Sequence, residues 1–190
     1  PRSTLFPYTT LFRSAVELAG GKSIYYDLIA PDYRIDWQQV RKLINQRTRM
    51  IIINTPHNPT GTILRDEDML QLEKIIRGTD IILLSDEVYE HMVYDGHQHQ
   101  SVLRYPRLAE RSFTVFSFGK TYHCTGWKVG YCIAPQNLMQ EFRKVHQFNV
   151  FSVNTPAQTT LAEAMQNKEW LEEVNVVYQK KRDYFRLAIQ

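Results

Sequence analysis

The sequence SFGKTYHCTGWKVGY, from Ser117 to Tyr131, places two lysines eight residues apart among glycines and aromatic residues. Neither Lys120 nor Lys128 shows the Glu/Lys spacing that is typical of a solvated helix face. The residues just before it, RSFTVF, form a short β-rich apolar run that predicts a strand. Because α/β proteins keep their sites just beyond strand ends, Lys120 is expected to lie in such a site.

Strands and helices are predicted to alternate from Ala15 onward. Besides SFTVFS, strands are predicted for KSIYYDL, MIIIN, DIILLS and VGYCIA, and two or three helices finish the chain. The helix DWQQVRKLI is expected to begin after an N-cap, Asp36, and the helix RDEDMLQLEKIIRG to end before Gly78. This alternation predicts an α/β fold, a mostly parallel sheet with helices on both faces.

The composition of the chain argues against several classes of protein. The chain has 190 residues, 43% of them apolar, and contains no apolar run near the roughly 18 residues of a membrane span. Its formal charge is +3, or +1 without Arg2 and Arg13, which argues against binding to nucleic acid or to a membrane surface. Cys124 and Cys132 form neither a disulfide framework nor a zinc pattern, which favours reduced cysteines in a cytoplasmic protein.

Both ends of the sequence are unusual. Residues 1–14, PRSTLFPYTTLFRS, contain no acid and resemble a translated adapter sequence, so they are predicted to be a non-native leader. A transit peptide is the alternative interpretation. The last segment has helical apolar spacing without a stop signal. Residues 15–190 are therefore predicted to form one domain whose last helix continues into a missing part.

Three predicted strands end in polar clusters: NTPHNPTG, SDEVY and SFGK. Parallel strands bring their carboxyl ends to one edge of a sheet, so these clusters are expected to converge in one crevice. No Ser-His-Asp or metal arrangement emerges, and His97 and His99 lack a third ligand. The set instead suits a pyridine ring that bears a phosphate and an aldehyde. The candidate site residues are Asn58, Asp86, Tyr89, Ser117, Lys120 and Lys128.

The motifs NTPHNPTG, SDEVYEHMVY and SFGKTYHCTGWKVGY resemble, in order and spacing, those of the class I/II aminotransferases, which depend on pyridoxal 5'-phosphate (PLP). The similarity covers essentially all of residues 15–190 and is strongest to the kynurenine/methionine aminotransferase branch. It implies most of a large, PLP-binding domain of fold type I, with the small domain missing. The implied activity moves an amino group between a methionine, aromatic or kynurenine-type amino acid and a 2-oxo acid. The 190-residue piece alone is expected to be inactive.

The resemblance also implies a role for each candidate residue. Lys120 would form the Schiff base with PLP and, once freed by substrate, move the Cα proton. Asp86 would keep the pyridine nitrogen protonated, which makes the ring an electron sink. Tyr89 and Asn58 would hydrogen-bond the phenolic oxygen of the cofactor. The phosphate would be bound by Ser117 and by Lys128, which stands where many relatives have Arg.

The resemblance implies a homodimer, with the stretch FSVNTPAQ, Phe151–Gln158, near the interface and Asn154 among its contact residues. Two alternatives remain open at this point. A PLP-dependent β-lyase would use the same Lys120 and Asp86 and differ only in the fate of the carbanion. A non-catalytic PLP-binding module would belong to another class of protein. A plain nucleotide-binding domain would require a Gly-rich strand-to-helix loop such as GxGxxG, which is absent from the sequence.

Overall fold

The structure is a computed structural model that describes residues 7–189. The described residues divide into two compact units, the first ending at Leu43 and the second beginning at Ile44. Residues 1–6 of the predicted leader lie outside the described residues, whereas residues 7–14 belong to helix α1, Pro7–Leu18. No helix among the described residues is both long and apolar enough to cross a membrane.

The first unit also contains helix α2, Trp37–Leu43. The carboxylate of Asp36 accepts hydrogen bonds from the backbone N–H groups of Gln38 at 2.9 Å and Gln39 at 3.2 Å, so the predicted N-cap is confirmed. The predicted strand KSIYYDL, residues 22–28, was wrong, because this segment lies in no helix or strand. Its alternating pattern buries neither face, since Ile24 is 61% exposed and Tyr25 is 54% exposed.

The second unit is built on a four-stranded sheet in the order β1-β2-β3-β4. The strands are β1 (Met50–Asn54), β2 (Ile82–Asp86), β3 (Ser112–Ser117) and β4 (Gly130–Ile133). The first three are mutually parallel, and β4 runs antiparallel to β3. The predicted α/β fold with a mostly parallel sheet is thereby confirmed.

The two faces of this sheet differ in burial. One face carries the buried side chains of Ile53, Leu83 and Phe116, which belong to the core. The other face is only partly covered, since Met50 is 41% exposed. On that second face, Phe113 of β3 packs against Phe142 with ring centroids 6.1 Å apart. Phe142 belongs to helix α6, Gln136–Asn149, so a helix covers part of this face.

Helix α3, Asp66–Ile76, connects β1 to β2 and buries Met69, Leu72 and Ile76. It is followed by Gly78 at φ +72°, a left-handed conformation that favours glycine after a helix end. Two short helices flank β3: α4, Pro106–Ala109, precedes it and α5, Phe118–Thr121, follows it directly. The chain continues after α6 through α7, Thr155–Ala164, and α8, Glu169–Ala188.

Polar contacts join helix α8 to the segments that follow β2 and β3. Arg182 forms a bidentate pair with the carboxylate of Asp95 at 2.6 and 2.7 Å. The indole N–H of Trp170 donates to the carbonyl of Thr121 at 3.3 Å, and the hydroxyl of Tyr178 lies 3.0 Å from Nε2 of His123. The residues just beyond Lys120 are therefore held by a helix that lies about 50 residues further along the chain.

Candidate active site

The carboxyl ends of the parallel strands meet at one edge of the sheet. The register pairs Asn54 with Asp86 and Asp86 with Val115, so the last residues of β1 and β2 lie side by side. The carbonyl of Asp86 accepts hydrogen bonds from the side-chain amide of Asn54 and from the backbone N–H of Thr55, both at 3.0 Å. The position of Asp86 is thus fixed by the strand beside it.

The carboxylate of Asp86 is buried, with 6% of the residue exposed. Burial raises the pKa of this carboxyl above its usual range, and the nearby charge of Glu87 also raises it. Two contacts act in the opposite direction on this pKa: a hydrogen bond from the backbone N–H of Val88 at 3.3 Å and the positive charge of Lys120. The buried carboxyl of Asp86 thus lies within reach of the positive charge of Lys120, at the carboxyl end of β2.

Tyr89 joins the segments that follow β1 and β3. The side-chain amide of Asn58 donates to its phenolic oxygen at 3.2 Å, and Nζ of Lys120 lies 5.5 Å from the centroid of its ring. The backbone N–H of Asn58 donates to the side-chain oxygen of Asn54 at 2.8 Å, which holds the turn in place. An amide, a phenol and an ammonium group thus converge around Tyr89.

Lys120 lies in α5, the short helix that begins directly after Ser117, the last residue of β3. Gly119 lets the chain turn tightly there, because an added Cβ would lie 3.0 Å from Cα of Thr125 and 3.4 Å from Oγ of Ser117. Ser117 and Asp86 belong to the same face of the sheet, since Ser117 is two residues after Val115, the register partner of Asp86. Ser117, Lys120 and Asp86 are brought to one edge.

Lys128 has a different position from the other candidates. It is exposed and adopts a left-handed backbone at φ 56°, at the end of a short 3-10 helix. Within residues 7–189, no hydrogen bond or ion pair joins it to Asp86, Tyr89 or Lys120. The structure therefore brings together five of the six candidate residues and leaves the sixth at the surface beside them.

Gly130, which follows soon after Lys128, has a structural reason to be glycine. An added Cβ would lie 2.5 Å from the carbonyl oxygen of Phe116 on the neighbouring strand. Gly126 has no such neighbour within 4 Å, so close backbone approach explains only one of these two glycines.

Sequence reasoning missed Glu90, which follows Tyr89. Its carboxyl accepts a hydrogen bond from the hydroxyl of Tyr131 at 3.3 Å, and burial raises the pKa of Glu90 to about 7. It lines a small cavity of about 70 Å³ together with Ser117 and Tyr122. Nothing in the sequence marks this residue, because its burial depends on packing against β4.

The histidines have local partners. Nδ1 of His57 lies 2.8 Å from the hydroxyl of Thr60, and burial lowers the pKa of His57. His99 contacts Glu87, whereas His97 is exposed. Within the part of the chain that the structure describes, no three His, Cys, Asp or Glu side chains form a group that could hold a metal ion.

Comparison with known proteins identifies the family. The family model described as "Aminotransferase class I and II" matches residues 7–190. The chain belongs to the class I and II aminotransferases. It is 47% identical to a methionine aminotransferase from Escherichia coli over 173 residues, which cover 90% of this chain and 45% of that protein. It is also 36% identical to a kynurenine–oxoglutarate transaminase from Dictyostelium discoideum, covering 80% of this chain and 36% of that protein.

Solved aminotransferase structures share this fold. An Escherichia coli protein with a methionine aminotransferase function superposes with a TM-score of 0.87 at 47% identity, covering 90% of this chain and 45% of that chain. The N-succinyldiaminopimelate aminotransferase from Mycobacterium tuberculosis gives a TM-score of 0.86 at 31% identity, covering 92% and 46%. This aminotransferase chain thus spans less than half the length of these relatives. The resemblance seen in the sequence is confirmed, and the family is PLP-dependent in general.

Proposed function

We propose that this chain is the central part of a PLP-dependent aminotransferase, with residues 15–190 forming most of the large, cofactor-binding domain. One observation carries the proposal: Nζ of Lys120 lies 5.5 Å from the ring centroid of Tyr89, at the edge that also holds Asp86. Amino-group transfer is proposed for the whole protein, because the chain covers 45% of the length of its Escherichia coli relative.

The chemistry of the donor set fits PLP. The cofactor has a ring nitrogen, a phenolic oxygen, an aldehyde and a phosphate, and each has a matching group here. Asp86 would bind the ring nitrogen, and the Asn58–Tyr89 pair would donate to the phenolic oxygen. Lys120 would hold the aldehyde carbon. Ser117, with Lys128 from the adjoining turn, would bind the phosphate.

PLP, when bound, supplies an electron sink for the carbanion that forms at the Cα of an amino acid. The residues of the chain complete that chemistry. Asp86, as an anion, stabilises positive charge on the ring nitrogen. Once freed by the substrate amine, Lys120 would take the proton from Cα and deliver it to the carbon that had carried the aldehyde. The Asn58–Tyr89 pair would stabilise negative charge on the phenolic oxygen of bound PLP, and this would favour the unprotonated form of the bond between Lys120 and the cofactor.

The proposed substrates are an amino acid of the methionine, aromatic or kynurenine type and a 2-oxo acid. Support comes from the similarity to a methionine aminotransferase at 47% identity and to kynurenine–oxoglutarate transaminases at 32–36% identity. The amino acid and the oxo acid share an α-carboxylate, so one site can accept both in turn.

The whole protein is further proposed to be a homodimer. The apolar surface near the predicted interface supports this, since Phe148 is 90% exposed and Phe151 is 78% exposed. The side chain of Asn154 caps α7 by accepting a hydrogen bond from the backbone N–H of Ala157 at 2.9 Å. Its contacts at the proposed interface would therefore be made by the part of Asn154 that this cap leaves exposed.

A cytoplasmic location is proposed because Cys124 and Cys132 are both free thiols. Residues 1–14 remain a proposed non-native leader.

Reductive trapping tests the central proposal. Borohydride treatment of the full-length protein with PLP should attach the cofactor to Lys120, as read by mass spectrometry of its peptides. Lys120→Ala should abolish both the trapped adduct and amino transfer. Lys144→Ala is the matched control, because the side chain of Lys144 is 69% exposed and forms a surface ion pair with Glu141 at 2.7 Å. Label on another lysine would overturn the assignment.

A further inference from the structure

A second buried carboxylate follows Asp86 directly. Glu87 is fully buried and accepts hydrogen bonds from three donors. The hydroxyl of Ser85 lies 2.8 Å from its Oε1, and the backbone N–H of Val102 lies 3.0 Å from the same atom. Nε2 of His99 lies 2.7 Å from the other carboxylate oxygen. A buried carboxylate with three donors is well satisfied and therefore stably placed.

Glu87 and Asp86 point to opposite faces of the sheet. The side chains alternate along β2, so Glu87 shares a face with Ser85, while Asp86 shares the other face with Leu84. The backbone N–H of Glu87 donates to the carbonyl of Val115 at 2.9 Å, which extends the pairing with β3 one residue beyond Asp86. The contacts of Glu87 therefore hold the peptide bond after Asp86 in place, and they lie on the sheet face opposite the candidate site.

The contact between His99 and Glu87 holds a polar loop against the end of β2. Its side chain is only 12% exposed, whereas His97, two residues earlier in the same loop, is exposed. Nδ1 of His99 is buried and has no hydrogen-bond partner among the described residues. The polar contact of this ring is therefore the one to Glu87, made across 12 residues of sequence.

We propose that Glu87 and His99 are positioning residues for the reaction, and that they act by holding the Asp86 carboxylate at a fixed place at the end of β2. This inference rests on the proposed function, because it gives Asp86 a ring nitrogen to bind. Burial chiefly raises the pKa of the Asp86 carboxyl, and the adjacent charge of Glu87 raises it further. Other titratable groups that sense the charges of this pair are Glu90, His91 and Tyr131.

Hydrogen exchange tests the positioning without cofactor. In the full-length, cofactor-free protein, His99→Asn should make the amides of residues 82–90 exchange on the order of tenfold faster, the effect of losing one hydrogen bond to a charged group. His97→Asn is the matched control, because His97 lies in the same loop and is exposed. This control should leave the exchange of residues 82–90 unchanged.

The PLP-loaded protein gives two further readouts for Glu87→Gln. Removal of one negative charge disfavours the protonated form of the Lys120-bound cofactor, so the pH midpoint of its visible absorbance should fall by about half a unit. The kcat should fall about tenfold with a smaller change in KM, since a displaced Asp86 impairs the chemical step more than binding. Glu110→Gln, at a carboxylate whose side chain is 62% exposed, is the control and should change neither value.

The outcomes separate this inference from the proposed function. If His99→Asn matches its control in exchange, and Glu87→Gln matches its control in absorbance and kcat, Glu87 and His99 only support the fold and the inference is overturned. If Glu87→Gln does not fold, His99→Asn still leaves the carboxylate two donors and decides the question. A wild-type protein that forms no adduct with PLP contradicts the proposed function, while the exchange of the cofactor-free protein still tests the positioning.

Discussion

The side-chain amide of Asn58 donates to the phenolic oxygen of Tyr89 at 3.2 Å, across 31 residues of sequence. Asn58 belongs to the segment after β1, and Tyr89 belongs to the segment after β2, so one hydrogen bond joins the ends of two neighbouring strands. The same phenol ring lies below Nζ of Lys120 at 5.5 Å from its centroid. Tyr89 therefore connects all three segments that the proposed cofactor site requires.

We expect Tyr89→Phe to raise the pH midpoint of the visible absorbance of PLP bound to Lys120. Loss of the phenol removes a donor that stabilises negative charge on the cofactor oxygen, and this favours the protonated linkage. Asn58→Ala should shift the midpoint in the same direction. The double variant should shift it by less than the sum of the two, because the two side chains are hydrogen-bonded to each other. Strict additivity would mean that the two residues act independently.

Asp86→Asn should retain PLP but lower kcat by about a hundredfold or more, the usual range for a lost proton-transfer or charge-stabilising group. The amide keeps the shape of the side chain but cannot stabilise a positive ring nitrogen. Absorbance of bound PLP measures retention, and steady-state kinetics measures kcat. Asp80→Asn, at an exposed position, is the control. Near-normal kcat in Asp86→Asn would remove Asp86 from its proposed role.

Glu90→Gln should remove a pH dependence of stability between about pH 4.5 and 7. Burial raises the pKa of Glu90 from 4.5 to about 7, so the folded state binds a proton more tightly than the unfolded state. The stabilisation is present below the unfolded pKa and is lost as the pH rises through the folded value, by about 3 kcal/mol. Denaturant unfolding of the cofactor-free protein at pH 5 and pH 8 measures it.

The difference between wild type and Glu90→Gln separates the contribution of this carboxyl from that of His57. Burial lowers the pKa of His57 and of His91, so their contributions have the opposite sign and are lost as the pH falls. The contribution of His57 is the same in both proteins and cancels in the comparison, whereas His91 lies 3.5 Å from Oε1 of Glu90, so its contribution is part of the measured difference. A free energy of unfolding that changes with pH equally in both proteins would contradict the expectation for Glu90.

Gly130→Ala should destabilise the fold by about 1–3 kcal/mol, the usual effect of overpacking, since its Cβ would lie 2.5 Å from the backbone oxygen of Phe116. Gly126→Ala is the matched control, because nothing lies within 4 Å of the added Cβ there. Thermal unfolding of both variants gives the comparison. Equal melting temperatures would show that the strands can separate at Gly130 without loss.

The local sequence pattern was sufficient to predict three of the strands and the start of one helix. The apolar runs MIIIN, DIILLS and SFTVFS became β1, β2 and β3 because buried parallel strands require continuous apolar residues. Asp36 caps α2 through contacts made within three residues of sequence. The segment KSIYYDL shows the limit of this reasoning. A strand also needs a pairing partner, and a local alternation of residues does not supply one.

The sequence alone indicated the family, the α/β class and six candidate residues. It could do so because the motifs that contain these residues lie at predicted strand ends and follow one another in a recognisable order along the chain. Only the tertiary structure decided that Tyr89 meets Asn58 and Lys120, that Lys128 is exposed, and that Glu87 is buried beneath His99. The physical reason is separation along the chain. Contacts across 12 to 31 residues depend on how strands pair and which face each side chain takes, and burial then determines which carboxyl has a raised pKa.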